Sequence, residues 1–218
     1  NHLDDDKDSW PSTESIHNFL FKSVENHTQE VKDKKNCVRV VYKNDKHIDL
    51  PMYTKSEEKY YIAKKYEDQW VESDPKQFKD WFLSKANEYE GNKSRRVIKY
   101  IKAWKDFKDV KITGIIISIL VVNNFENADN EVDSLIETLK NIIKDLKENK
   151  KLLHPIHNEE NLISKWSESK LDDTLKKLND FKEKLELAKE SDDDDETYEI
   201  LIKLFGDRFP TIEKSDSR

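Results

Sequence analysis

Two groups of residues in this 218-residue chain have types and spacings that could do chemistry. The first is the segment His47-Ile48-Asp49-Leu50-Pro51-Met52-Tyr53. Side chains alternate along a strand, so His47, Asp49 and Pro51 share one face and Ile48, Leu50 and Met52 the other. The apolar face is expected to be core, with Asp49 projecting from a rigid support. Two-metal phosphoryl or nucleotidyl transfer needs such a carboxylate, because Mg2+ takes anionic oxygen ligands held in fixed positions. The same pattern also describes a surface strand acid with a cation beside it.

The second group is basic. From Gly91 to Lys111, eight Lys and Arg residues stand against Asp106 and Asp109, a local charge of +6 in a chain whose net charge is −7. At about 100° per residue, Arg95, Lys99 and Lys102 fall in one narrow sector opposite Val97, Ile101 and Trp104. Such a stripe is either a solvated face or the seat of a polyanion. Just after it, Thr113 precedes the apolar run Gly114 to Leu120 and can cap a buried helix. A helix start carries unpaired amides and partial positive charge, so a cationic helix feeding a capped start makes a reasonable triphosphate site.

Other features carry less. His154-Pro155-Ile156-His157-Asn158-Glu159 contains metal-ligand types, but in a proline-containing loop with no helix to orient the pair. The five tryptophans are too scattered for a base-stacking platform and read as core. A lone cysteine, Cys37, makes no internal disulfide and no Cys-rich zinc site, which points to a reducing compartment. The longest apolar stretch, Ile112 to Val122, falls short of the ~18 residues that span a bilayer. The chain therefore reads as soluble and cytoplasmic.

Composition bounds the architecture that must position these groups. Charged residues make up 39%, yet Leu, Ile, Val and Phe together supply 56 of 218 positions, enough for a core. Three glycines and five prolines are too few for a dinucleotide fold or a P-loop, which need glycine where backbone approaches phosphate. Ser12 and Thr13 open a helix that the spacing predicts over Thr13 to Gln29. Val38 to Lys43 and His47 to Tyr53 alternate as strands about an Asn44-Asp45 turn. From Glu57 onward the chain reads as almost entirely helical. Ser73-Asp74-Pro75 starts one helix, with Phe78, Trp81 and Phe82 on one face, and Gly91 closes it. Helices over Lys93 to Phe107, Asp133 to Lys147, Leu171 to Leu185 and Tyr198 to Phe205 follow. The acidic run Glu190 to Glu196 reads as a solvated loop.

The order of these pieces resembles a known family. His47 to Tyr53, then Trp70-Val71-Glu72-Ser73-Asp74-Pro75 with Phe78, Trp81 and Phe82, then Arg95 to Lys105, then Thr113-Gly114, is similar to the bacterial CD-NTases. These are the cGAS/DncV-like nucleotidyltransferases of CBASS anti-phage signalling. Glu160-Asn161-Leu162 and Leu204 to Pro210 resemble that family's C-terminal half. The match runs from about Trp10 to Pro210. It implies an α+β fold: a mainly helical C-terminal lobe with the remnant of a nucleotidyltransferase (polymerase β-like) sheet. Expected domains are 1–57 (partial nucleotidyltransferase core), 58–210 (helical lobe) and 211–218 (polar tail).

The resemblance also implies an activity: a cyclic oligonucleotide messenger made from NTPs, ATP among them, with Mg2+ or Mn2+. The product would act on a downstream effector, with no membrane and no nucleic acid required. Asp49 matches the third catalytic carboxylate, a metal ligand that helps activate the attacking hydroxyl. Lys102 matches the triphosphate-holding lysine and Thr113 the polar helix-cap residue, with Lys99 and Arg95 assisting. One departure matters. The Gly-Ser turn and Asp-x-Asp pair that bind two metals have no match here, and Asp4-Asp5-Asp6 does not supply them. With Asn1 in place of a Met, the chain reads as beginning after that motif, with two carboxylates upstream, and as inactive by itself. A non-catalytic helical module that binds an anionic partner is the competing expectation.

Overall fold

The computed structural model describes residues 9–206, apart from 27, 29, 45 and 68, together with 209 and 210. The acidic segment Asp4 to Asp8 and the tail 211–218 lie outside the described residues, as do Asp207 and Arg208. The chain forms two compact units that divide between Gln77 and Phe78.

In the first unit, helix α1 (Thr13–Val24) starts where the Ser12 hydroxyl accepts the Ser15 amide at 3.2 Å. It ends short of the predicted Gln29. A polar strand, β1 (Glu30–Asp33), follows and pairs antiparallel with β2 (Val38–Val41), which in turn pairs with β3 (His47–Leu50). A second antiparallel sheet has the order β4 (Tyr53–Ser56), β5 (Lys59–Lys64) and β6 (Gln69–Glu72). The expected switch to helix at Glu57 therefore comes some 18 residues later, at Pro75. Glu57 and Glu58 form a two-residue hairpin loop with φ of 47° and 65°. Loops of this kind normally announce themselves with Asn-Gly or Asp-Gly.

Helix α1 packs on β1, β2 and β5. Val38, Val40, Tyr61, Ile62 and Ala63 are buried, with Trp10 edge-on to Tyr61 and Trp70 at 5.4 Å each. His17 is fully buried here, its Nε2 3.2 Å from the Ala63 carbonyl and its Nδ1 2.7 Å from Asp33, which also receives the Lys65 ammonium. The imidazole thus bridges α1 to Asp33 of β1 and Ala63 of β5, one strand of each sheet.

The second unit is helical. Helix α2 (Pro75–Ala86) is capped by Asp74, whose carboxylate accepts the Lys76 and Gln77 amides, and it lays Phe78, Trp81 and Phe82 on the core. Helices α3 (Lys93–Phe107), α4 (Gly114–Asn124), α5 (Glu131–Asn149), α6 (Glu168–Glu190) and α7 (Asp194–Phe205) complete it. Helix α4 is apolar on all sides and buried from Ile116 to Val122. Leu139 and Leu146 of α5 and Phe181 of α6 are fully enclosed, and Phe181 stacks on Trp104 at 4.5 Å and 9°.

The acidic run is not the expected loop. The Asp193 carboxylate accepts the Asp195 and Glu196 amides, and Asp194, Asp195 and Glu196 form the first turn of α7. Anionic side chains there complement the helix dipole, which offsets their mutual repulsion. At the other end of α7, Gly206 has φ 65°, and a Cβ on it would lie 2.3 Å from the Phe107 ring. Only glycine fits that position.

Candidate functional site

In the first unit, Asp49 lies on β3, the edge strand of its sheet, directly opposite Arg39 of β2. The face assignment holds, since Ile48 pairs with Val40 and Leu50 with Val38 on the sheet face opposite Asp49. Ile48 nevertheless remains 51% exposed, because core packing reaches the central strand and not its edge neighbour. The expectation of core behind the whole strand is corrected to core behind β2.

Arg39 clamps Asp49 in a fork, Nε to Oδ1 at 2.7 Å and Nη2 to Oδ2 at 2.9 Å. That guanidinium holds the Asp49 carboxyl below the usual carboxylate range against a small opposing effect of burial. The Cys37 thiol beside it is pushed up, first by burial and then by the Asp49 charge. The arrangement is an ionised, orientated carboxylate. Among the described residues, no group of three His, Cys, Asp or Glu side chains could hold a metal ion.

In the second unit, α3 has the bounds expected and buries Val97, Ile98, Ile101 and Trp104. Arg95 and Lys99 are exposed on its opposite sector, and neither has an acidic partner among the described residues. Arg95 reaches only Asn92, at 3.5 Å. Lys102, one turn on, is half-buried and turned toward α4. Its ammonium donates to the Ser118 hydroxyl at 3.0 Å, and Ser118 donates to the Gly114 carbonyl at 2.8 Å. Burial, helped by the Lys105 charge, lowers the Lys102 pKa.

Gly114 makes this approach possible. A Cβ there would stand 3.3 Å from Lys102 Cε and 3.5 Å from Nζ, so the end of the lysine would have to give by a few tenths of an ångström. Thr113 takes the N-cap position with extended backbone (φ −74°, ψ 151°), but its exposed hydroxyl makes no cap bond. The expected side-chain cap is thus corrected: hydroxyl and first-turn amides are both left for another acceptor. Helix start, hydroxyl and ammonium together gather positive charge and hydrogen-bond donors at one point.

Lys102, Gly114 and Ser118 are brought together in this unit, with Thr113 at the same helix end. Lys99 and Arg95 share the Lys102 face by helical spacing. Ser118 was not foreseen. It is a small polar residue inside an apolar run, only 8% exposed, and a buried hydroxyl demands a partner.

The His154 loop serves structure. His154 Nδ1 accepts the Ile156 and His157 amides at 3.2 and 3.1 Å, and its ring lies 5.0 Å from that of His157. Asn161 closes the same loop by accepting the Leu152 and Ile163 amides, which explains the Glu160-Asn161-Leu162 motif. Burial, then the His157 charge, hold the His154 pKa below the ordinary imidazole value. The folded state thus binds fewer protons than the unfolded one in that range. Stability from this loop is complete above the unfolded value of about 6.5 and is lost as pH falls through the folded value. Urea midpoints measured between about pH 7 and 5 should fall, and fall less in His154→Ala.

Comparison with known proteins now decides the family. Residues 91–216 match the family model described as the C-terminal domain of cyclic GMP-AMP synthase. The chain belongs to that family. Residues 2–53 match the model described as the nucleotidyltransferase domain of cyclic GMP-AMP synthase, DncV-like, so the CD-NTase resemblance is shown. A cyclic GMP-AMP synthase from Escherichia albertii is 28% identical over 168 residues, covering 72% of this chain and 37% of that protein.

Vibrio cholerae DncV, a cyclic AMP-GMP synthase solved with the linear intermediate 5′-pppA(3′,5′)pG, superposes with TM-score 0.74 at 26% identity. That alignment covers 86% of this chain and 55% of DncV. The CD-NTase CdnG of Bradyrhizobium diazoefficiens, solved with GTP, shares the fold at TM-score 0.72 and 14% identity, over 92% and 73% of the two chains. The chain spans about a third to a half of the length of the curated relative and of DncV. Its α+β fold is that of the DncV-like nucleotidyltransferases. No described helix is long and apolar enough to cross a membrane.

Proposed function

We propose that this chain forms part of a nucleotidyltransferase that joins ATP, GTP or both into a cyclic dinucleotide messenger. The observation that carries the reading is the Lys102 ammonium held by Ser118 at the start of α4, beside Gly114 and an uncapped Thr113. A triphosphate there meets a cation, a hydroxyl and free amides, with Lys99 and Arg95 adding charge along the same helix. Asp49 is the catalytic carboxylate in this reading. Arg39 keeps it ionised and orientated, and it can take a proton from an attacking hydroxyl only once that fork opens.

A divalent cation, Mg2+ or Mn2+, belongs to the reading as the group that neutralises phosphate charge. The described residues supply one carboxylate, Asp49, already engaged by Arg39, and do not by themselves make a complete metal site. The reading extends to a role in anti-phage signalling through a downstream effector, in the cytoplasm. The Arg39–Asp49 clamp also favours a second reading, a binding module that keeps the anion site without catalysis. The two separate on product analysis. Protein made from the complete reading frame, given ATP, GTP and Mg2+, should yield a cyclic dinucleotide by mass spectrometry. Tight nucleotide binding with no phosphodiester product would select the binding module instead.

A further inference from the structure

The groove between α5 and α6 is lined by Lys140, Lys144, Lys147 and Lys182, with Asn179 beside them and Glu148 the only acid on its walls among the described residues. It has a volume of about 470 Å3 and Ile143 at its base. Lys140, Lys144 and Lys147 repeat at i, i+4 and i+7, so one face of α5 carries three successive like charges. Like charges at that spacing repel and weaken a helix.

Helix α6 shows the ordinary solution. Its Lys177, Lys182 and Lys184 each meet an acid four residues away, at 2.7, 3.0 and 2.7 Å. Lys140 is likewise held, by Glu137 at 2.7 Å and Glu186 at 3.5 Å. Lys144 and Lys147 have no acidic partner among the described residues, although the chain as a whole carries more acid than base. Two unneutralised ammonium groups one turn apart, flanked by two more and an amide, match a short chain of phosphates in charge.

We propose that this groove is a second anion site that takes a short linear polyphosphate, free or carried on a nucleoside. It shares no residue with the Lys102 site and stands whether or not that site holds substrate. Inorganic tripolyphosphate is the probe, titrated calorimetrically at low salt against Lys102→Ala protein so that the first site is silenced. Binding should persist there and weaken at least tenfold when Lys144→Ala and Lys147→Ala are added. Arginine at both positions should retain it. Both substituted side chains, Lys144 and Lys147, are exposed, so folding is not at stake. ATP that competes with tripolyphosphate supports a nucleotide-borne ligand, and ATP that does not supports the free polyphosphate. Absence of binding in Lys102→Ala protein, or binding that ignores the two alanines, overturns the proposal.

Discussion

Asp49→Ala, in protein from the complete reading frame, should lower the rate of cyclic dinucleotide formation by about 10²- to 10⁴-fold, the range expected for loss of a positioned general base. The argument rests on how little else the residue does. Its side chain is 41% exposed, and its partner is a surface arginine that water can solvate once the carboxylate is gone. Exposed ion pairs of this kind are worth about 0–1 kcal/mol, so the variant should melt close to wild type while losing turnover. Asp49→Asn keeps shape and hydrogen bonding but cannot take a proton, so it should fail alike. Initial rates with ATP and GTP are the measurement. Normal yield from either variant removes Asp49 from the proposed role.

Lys102→Ala should weaken nucleoside triphosphate binding by about 10- to 100-fold, the loss expected when a charge-assisted contact to phosphate is removed. The ammonium is already half out of water and held by Ser118, so little ordering remains to be done when phosphate arrives. Surface cations such as Lys99 and Arg95 are more mobile and better solvated, and their removal should cost less. Stability is not expected to fall by a comparable amount. The Ser118 hydroxyl keeps its bond to the Gly114 carbonyl in the variant.

Much of the second unit was legible because its helices, α4 apart, have one apolar face each. Helix α3 was read from the spacing of Val97, Tyr100, Ile101, Trp104 and Phe107. The central part of α5 was read from Leu135, Leu139, Ile142 and Leu146, while its first and last turns are polar and gave no periodic signal. The sheet formed by β4, β5 and β6 was missed for a different reason. Its tight turn uses Glu57 and Glu58 in left-handed conformations, where sequence reading looks for glycine or asparagine. The start of α7 was hidden inside an acidic run whose charges serve as cap and first turn.

The site divides along the same line. Lys102 and Thr113 could be placed by helix spacing and cap position, and the face of Asp49 by alternation along its strand. The fork with Arg39 depends on hairpin register, and the Lys102–Ser118 contact on how two helices pack 16 positions apart in sequence. Neither is encoded in local pattern.

The most direct test of the account is the affinity of ATP·Mg2+ for wild-type and Lys102→Ala protein, measured by calorimetry in the same buffer. The account predicts saturable binding by the wild type and an affinity at least tenfold weaker in the variant, with an unchanged melting temperature. Equal affinity in the two proteins would contradict it, because the α4 start would then not be where the triphosphate is held.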